Sequence, residues 1–407
     1  MVYLLILICL FFVVVGLRCS RNNIFSPSVM TGGVWAFSLI LFVTIDAKLP
    51  DLSCRTLLCI FLWVAGLCLS SLVSQSASYR NSQLDEPSLF IRNLLLLASV
   101  AYLPKLYFFV VEALAGANGG NWAWTLRLAA LGQGSGFTTP FGGIFVIIWQ
   151  VTFLIELLCF KKSQWWRLVL ISFIYLLFGV VTMSKIIFLN FFLFSCTILY
   201  FKNKISFKTM VTGVGVLLVL FFTLQSVRMA VKFSDANDDF FITYVVCNLV
   251  SFDTLEPCSA LHFGENTFRT FYALFYDLGW SSVEPVDILL KWIEKPIKTN
   301  TYSALYPYYV DFGIAGVVLF SVVTGFVYGW LFKKSQDGNN FHILMYAVAT
   351  NILFMQYAAD LFFTSLSGNL KLAFFLFIPF LTSKHNLLVV KDAINPLHHN
   401  ESKQKAL

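Results

Sequence analysis

Charged residues are scarce in this chain of 407 residues, because Asp, Glu, Lys and Arg together make up only 12% of it. The chain also lacks a CxxC motif and any paired spacing of Cys and His, which argues against the common structural zinc sites. No internal repeat is visible, which disfavours transporters built from inverted halves. Apolar residues fill the sequence instead. Contents of 58% hydrophobic and 17% aromatic residues exclude an ordinary soluble globular protein.

Apolar windows of about 17–25 residues, enough to cross a bilayer as a helix, recur along the sequence. We therefore predict an all-α polytopic membrane protein with about 11 transmembrane helices. The windows are 1–17, 29–46, 54–72, 91–115, 139–160, 166–183, 185–201, 209–227, 310–332, 341–359 and 370–388. Transmembrane helices 1–8 then occupy 1–227, with an outer loop at 116–138; a large outer loop follows at 228–309, helices 9–11 occupy 310–388, and 389–407 form a cytoplasmic tail.

The distribution of basic residues predicts the topology. Arg18 and Arg21 follow the first span and nothing basic precedes it, so we interpret this span as a retained helix with the N-terminus outside. Alternation then places most other basic residues, including Arg92 and Arg167, on the cytoplasmic side and the C-terminus inside. The net charge of +7 is therefore ascribed to topology and contact with anionic lipid, and no nucleic-acid signature is present.

The 228–309 loop is the longest polar segment, and we expect the chemistry to lie there. Its stretches 240–252, 268–280 and 286–293 are too short to cross a bilayer and predict amphipathic or re-entrant helices at the outer interface. Cys247 and Cys258 are candidates for a disulfide in this loop, although their spacing alone does not decide it.

Two strings in and after this loop carry a family resemblance. They are FGENTFR at 263–269 and TNTYSALYPYYVDFG at 299–313, and glycines continue the second string into the next span. Together they resemble the O-antigen polymerases of the Wzy type, most closely over 180–330. Relatives often have Arg before the proline, where this chain has Tyr306.

The resemblance implies a GT-C-like membrane glycosyltransferase in the bacterial inner membrane. It would transfer a growing glycan from undecaprenyl diphosphate to an incoming undecaprenyl-diphosphate-linked repeat unit at the periplasmic face. A polysaccharide chain-length regulator is an implied partner, and neither cofactor nor metal is expected. Whether the transfer inverts or retains the configuration of the sugar stays open.

A diphosphate leaving group requires cations or other hydrogen-bond donors. The outer-face candidates are Arg228, Arg269 and Lys185, and their structural alternatives are a snorkelling arginine, a pair with Glu265 and a solvated turn lysine, respectively. The acceptor hydroxyl needs a base, for which Asp311, His262 and Glu265 are the candidates. Asp311 could equally cap its helix.

Further residues are candidates for substrate binding because they offer aromatic faces, amides or a cation at membrane depth: Tyr302, Tyr306, Tyr309, Asn266, Asn300 and Lys105. Interfacial tyrosines are often only membrane-belt residues, and Lys105, beside Pro104 in the fourth span, has an ion pair as its structural alternative. Three other functions remain: an O-antigen ligase, a flippase or transporter of lipid-linked oligosaccharide, and a scaffold of the export complex.

Overall fold

The computed structural model describes residues 1–45, 49–77, 79, 86–115, 122–130, 142–229, 245–287, 290, 291, 293 and 299–381, with only the backbone described at 123, 124, 128, 142 and 224–229. The β structure in this part of the chain is one isolated bridge, between Ile293 and Thr299. The helices within these ranges are α1 Val2–Cys19, α2 Pro27–Thr44, α3 Cys54–Ser76, α4 Leu89–Ala101, α5 Leu103–Ala115, α6 Trp122–Ala130, α7 Gly142–Leu158, α8 Trp165–Val181, α9 Lys185–Phe201, α10 Phe207–Met229, α11 Cys247–Asp253, α12 Arg269–Asp277, α13 Tyr306–Gln336, α14 Asn340–Phe354 and α15 Leu366–Leu381.

Long apolar helices identify an all-α membrane protein. Six helical segments among the described residues are long and apolar enough to span a bilayer: Val2–Cys19, Pro27–Thr44, Cys54–Ser76, Leu89–Ala115, Lys162–Val181 and Tyr306–Gln336. Shorter apolar helices are present at Gly143–Leu158, Lys185–Phe201, Phe207–Thr223 and Leu366–Leu381. The total of about 11 spans and the N-out, C-in topology stay predictions.

The described residues divide into two compact units that do not follow chain order. Unit 1 comprises Met1–Arg80, Phe233–Gln336 and Tyr346–Leu370, and unit 2 comprises Asn81–Lys232, Asp337–Met345 and Lys371–Leu407. The described part of the 228–309 loop therefore belongs mainly with α1–α3 and α13 and is not a separate body.

Small residues pack α13 against α3 in unit 1. A Cβ atom at Gly325 would overlap the Leu67 carbonyl oxygen, and one at Gly329 would overlap the Ser71 carbonyl oxygen. Glycine thus lets the two backbones approach closely, a common way of packing helices inside a membrane. These glycines continue the second sequence string, so part of that pattern is explained by packing.

Helix α13 is broken near its start. Gly313 has φ 63° and ψ −150°, a conformation that L side chains rarely adopt. The break frees the carbonyl groups of Tyr309 and Val310, which accept hydrogen bonds from the N–H groups of Cys258 (3.2 Å) and Ala260 (3.3 Å). Residues 306–312 therefore form a short helical segment ahead of the break, and the loop packs directly against it.

A buried charge cluster connects the helices of unit 2. Glu156 in α7 pairs with Arg92 of α4 at 2.7 Å and with Arg167 of α8 at 2.8 Å, and Arg167 also donates to Asn93. All three ionic side chains are at least 93% buried. Arg92 and Arg167 therefore carry a structural role, in contrast to the lipid-facing role expected from topology alone.

The fourth predicted span is interrupted at Tyr102, between α4 and α5. Pro104, two residues further on, has no N–H to continue the helical ladder, which explains the interruption. The indole Nε1 of Trp149 donates to the Ser99 carbonyl at 3.0 Å just before the break. The fourth predicted span is thus present as two consecutive helices.

The large loop contains two of its three predicted short helices. Helix α11 is buried within unit 1, and α12 leaves apolar side chains such as Phe271 and Leu274 exposed. The third prediction, for 286–293, is wrong for the described residues, because Val286 and Asp287 are not helical and Ile293 forms the bridge to Thr299. Cys247 is buried and Cys258 is exposed, and in the described part of the chain no disulfide joins them.

Candidate functional site

The two strings that carry the family resemblance contact each other in unit 1. Asp311, in the segment before the α13 break, accepts hydrogen bonds from Asn266 N (3.3 Å), Asn266 Nδ2 (2.8 Å) and Thr267 N (2.7 Å). Asn266 and Thr267 are buried. One carboxylate thereby holds the first string against the second.

Aromatic packing reinforces this contact. The ring of Phe268 lies 6.2 Å from that of Phe312, 6.0 Å from that of Phe320 and 6.5 Å from that of Phe363. These edge-to-face contacts link the first string to both parts of α13 and to the turn before α15. The conformation of the first string is thus fixed by polar and apolar contacts together.

Next to this contact lies a cleft of about 190 Å³. The polar side chains on its walls come from four segments of unit 1. They belong to Asn266, Arg269, Asp287, Tyr302, Ser303, Tyr306, Asp360, Thr364 and Ser365. The structure thus brings four predicted substrate or catalytic residues, Asn266, Arg269, Tyr302 and Tyr306, to one cavity.

Arg269 is the cation of this cleft in the described part of the chain. It is the first residue of α12, and its Nε donates to the Val286 carbonyl at 2.6 Å. That bond orients the guanidinium group, while the described residues offer its two terminal nitrogens no hydrogen-bond or ion-pair partner. An oriented guanidinium with free donors suits a phosphate or diphosphate group. The predicted alternative, a pair with Glu265, is not formed.

Two tyrosines form a neighbouring wall of the cleft. The rings of Tyr302 and Tyr306 lie 5.0 Å apart, the Tyr302 hydroxyl donates to the Lys291 carbonyl at 3.1 Å, and the Tyr306 hydroxyl donates to Asn266 Oδ1 at 3.3 Å. Burial raises the pKa of Tyr302, so this phenol stays protonated. Fixed aromatic faces with protonated hydroxyls can stack on sugar rings and hydrogen-bond to them.

Asp360 is a buried carboxylate that lines another wall of the same cleft. Its Oδ1 accepts the Tyr308 hydroxyl at 2.9 Å and the Phe362 N–H at 3.1 Å, and its Oδ2 accepts the Thr364 N–H at 2.8 Å. Burial raises the pKa of this carboxyl group, while the backbone donors and Tyr308 oppose the shift. Raised carboxyl pKa values are typical of groups that accept protons near neutral pH.

Other predicted site residues lie outside the cleft lining. Glu265 accepts the N–H groups of Leu261 (2.9 Å) and His262 (3.2 Å), so it closes a turn, and His262 is exposed. Tyr309 packs its ring 5.0 Å from that of Phe252. Asn300, like these residues, does not line the cleft.

Three predicted residues belong to unit 2 and are considered there by themselves. Lys105 lines a separate cavity of about 260 Å³ together with Tyr102, Trp149 and Thr182. Lys185 is the first residue of α9. Arg228 lies in the last turn of α10, but its side chain is outside the described part of the chain.

The sequence interpretation missed polar residues at this end of unit 1. Asp287 and Asp360 line the cleft, and Arg55 donates to the Asp253 carbonyl at 2.7 Å and lies over the Tyr309 ring. Arg55 follows an outer turn in the predicted topology, so the positive-inside rule does not explain its position. Asp360 lies in a short outer turn of the predicted topology, where a carboxylate at a span end requires a partner.

The comparisons with known proteins identify no family for this chain: no family model, curated protein or solved structure matches it. Within the described part of the chain, no group of three or more His, Cys, Asp or Glu residues has an arrangement that could hold a metal ion. The chemistry of the cleft is therefore interpreted from its own residues.

Proposed function

We propose that this chain is a polysaccharide repeat-unit polymerase of the O-antigen type, acting at the periplasmic face of the bacterial inner membrane. It transfers the growing glycan from undecaprenyl diphosphate to an incoming undecaprenyl-diphosphate-linked repeat unit. The observation that carries the proposal is the meeting of the two strings at one cleft, where Asp311 holds Asn266 and Thr267. The strings are 30 residues apart in sequence, and their contact creates a wall with a cation, an amide and two tyrosines.

The chemistry of the cleft supports a glycosyl transfer from a diphosphate. The bond from the sugar to the diphosphate breaks with its electron pair on oxygen, so negative charge develops on the leaving group. Arg269, oriented by the Val286 carbonyl, can stabilise that charge with its free nitrogens. Tyr302, Tyr306 and Asn266 offer the ring faces and hydrogen-bonding groups that a sugar requires. Arg228 and Lys185 stay proposed diphosphate ligands, and Lys105 a proposed ligand in unit 2.

The test is the length of surface polysaccharide in a host strain that lacks this chain and carries a plasmid copy. We expect Arg269→Ala to reduce polymerisation by a factor of about 10² and to leave lipopolysaccharide with a single repeat unit. Arg269→Lys keeps the charge but loses the planar guanidinium group with its several donors. It should therefore restore only part of the ladder of lipopolysaccharide bands that a gel resolves by length. Lys291→Ala removes an exposed cation of the same loop and serves as the matched control.

Membrane abundance, measured by immunoblotting, must be equal in all variants. A full-length ladder from Arg269→Ala at normal abundance would contradict a diphosphate role for this residue. The O-antigen ligase is the second candidate, because it uses the same donor chemistry with lipid A core as acceptor. A host lacking the chain would then lose even the single-repeat band, whereas loss of polymerase leaves that band in place.

A further inference from the structure

We propose that Asp360 is the general base of the cleft, accepting the proton of the attacking sugar hydroxyl. This inference rests on the proposed glycosyl transfer. The acceptor hydroxyl gives its proton to the Asp360 carboxylate, and its oxygen forms the new bond to the anomeric carbon. The bond from that carbon to the diphosphate oxygen breaks, and its electron pair leaves with the diphosphate. Asp360 afterwards releases the proton to water.

Asp360 lines the cleft, whereas the three bases suggested by the sequence do not. Those three bases are Asp311, Glu265 and His262. Asp311 and Glu265 also have their carboxylates occupied by N–H groups of the first string and its preceding turn. Asp360 and Asp287 are the carboxylates on the cleft walls in the described part of the chain, and Asp287 is exposed to solvent. Asp360 alone combines burial with a place on the cleft wall.

The hydrogen bonds of Asp360 hold its carboxylate in place and leave capacity for a proton. Oδ1 accepts the Tyr308 hydroxyl and the Phe362 N–H, and Oδ2 accepts the Thr364 N–H. A carboxylate has about four lone-pair sites, so these three bonds leave capacity for the proton of an acceptor hydroxyl. Tyr308 is itself held between the rings of Trp63 (5.5 Å) and Phe320 (4.6 Å) and thus acts as a positioning residue.

A second, much smaller cavity lies against Asp360. Its volume of about 10 Å³ is close to the space that one water molecule needs. Thr324 and Tyr328 also line it, both are more than 95% buried, and their hydroxyl groups have no partner among the described residues. One water bound there would satisfy both hydroxyls and give the proton on Asp360 a polar path away from the cleft.

Few charged or titratable groups face Asp360 from the elements around it. Tyr308 and Tyr328 of α13 are its titratable neighbours, and Arg269 and Asp287 line the same cleft. No described residue forms an ion pair with Asp360. Burial is the main reason that the pKa of its carboxyl is raised. The protonated carboxyl is inactive as a base, so activity should fall as the pH drops through that pKa.

The experiment uses the full-length protein in proteoliposomes with undecaprenyl-diphosphate-linked repeat units extracted from a host lacking this chain. We expect Asp360→Asn to lower the rate of elongation by a factor of about 10² to 10⁴. Asp277→Asn, an exposed carboxylate of α12 outside the cleft, should keep the wild-type rate. Asp360→Asn with wild-type abundance and a rate within threefold of wild type would overturn the proposal.

Tyr308→Phe tests the same point even if Asp360→Asn folds poorly. It removes a donor to the charged carboxylate, so the carboxyl pKa must rise and the acidic limb of the pH–rate profile must move to higher pH. An unmoved acidic limb with a lowered rate would indicate a structural role and overturn the proposal. Failure of the polymerase function itself looks different, because wild-type protein would then elongate nothing at any pH.

Discussion

Replacing Asp311 by Asn tests whether this carboxylate docks the first string. The wild-type oxygens accept three N–H donors, two of them at 2.7 and 2.8 Å. In the variant an NH₂ group must take the place of one oxygen. If it takes the place of Oδ2, it faces the buried Thr267 N–H, so one charge-assisted hydrogen bond is lost and a buried donor is left unsatisfied.

The expected cost follows from these two terms. A hydrogen bond to a charged group contributes about 1.5–3 kcal/mol and an unsatisfied buried donor costs about 1–3 kcal/mol. Because the neighbouring segment can relax, we take about 3 kcal/mol as the loss of docking free energy. At about 1.4 kcal/mol per factor of ten, the opening of the string should become about a hundredfold more frequent.

Hydrogen exchange of the peptide containing residues 261–268, followed by mass spectrometry on detergent-purified protein, measures this opening directly. The Thr267 amide should exchange about a hundredfold faster in Asp311→Asn, and Asp277→Asn should leave it unchanged. Unchanged exchange in Asp311→Asn would refute the docking role. If such a protein were also inactive, Asp311 would return as one of the three bases that the sequence suggested.

Three further changes probe the fold, two by thermal unfolding of the purified protein and one by its abundance in the membrane. Glu156→Gln leaves two buried arginines without their anion and should lower the free energy of unfolding by about 3–5 kcal/mol. Its control, Glu86→Gln at an exposed ion pair, should lower it by at most about 1 kcal/mol. Equal unfolding midpoints in the two variants would contradict this expectation. Gly329→Leu places a side chain on the Ser71 backbone and should lower membrane abundance on an immunoblot. Gly313→Ala forces a Cβ into a backbone conformation that is essentially restricted to glycine and should cost about 1–3 kcal/mol, so an unchanged midpoint would refute the assigned strain.

Hydropathy predicted much of the fold because a bilayer leaves few choices for a long apolar segment. A helix lies in each window that was predicted to span, and six helical segments meet the length required. The positive-inside rule did not predict the buried ion pairs of Arg92 and Arg167. A count of charges shows where arginines lie in the sequence. It cannot show that Glu156, more than 60 residues from Arg92, pairs with both arginines in the protein interior.

The residues of the candidate site that lie in or beside the two strings could be predicted from the sequence. Those that only distant contacts bring to the cleft could not. Asn266, Arg269, Tyr302 and Tyr306 lie in or beside the two strings, and all four line the cleft. Asp360 follows a different helix, and its Tyr308 partner is 52 residues earlier in the chain. No spacing rule joins such a pair. The break at Gly313 was missed for a related reason, because glycine in an apolar helix indicates close packing as readily as a turn.

The seven residues before that break support both walls of the cleft. Asp311 and Tyr306 bond to the wall that carries Asn266, and Tyr308 bonds to Asp360 on the other wall. Because one short segment holds both walls, their positions are coupled, and a change at either contact should shift the other. The effects of Asp311→Asn and Tyr308→Phe on elongation are therefore expected to be non-additive, with a coupling of about 0.5–3 kcal/mol in a double-mutant cycle. Strict additivity would mean that each wall is held by its remaining contacts, and the broken helix would then be only a connection between two independent halves of the site.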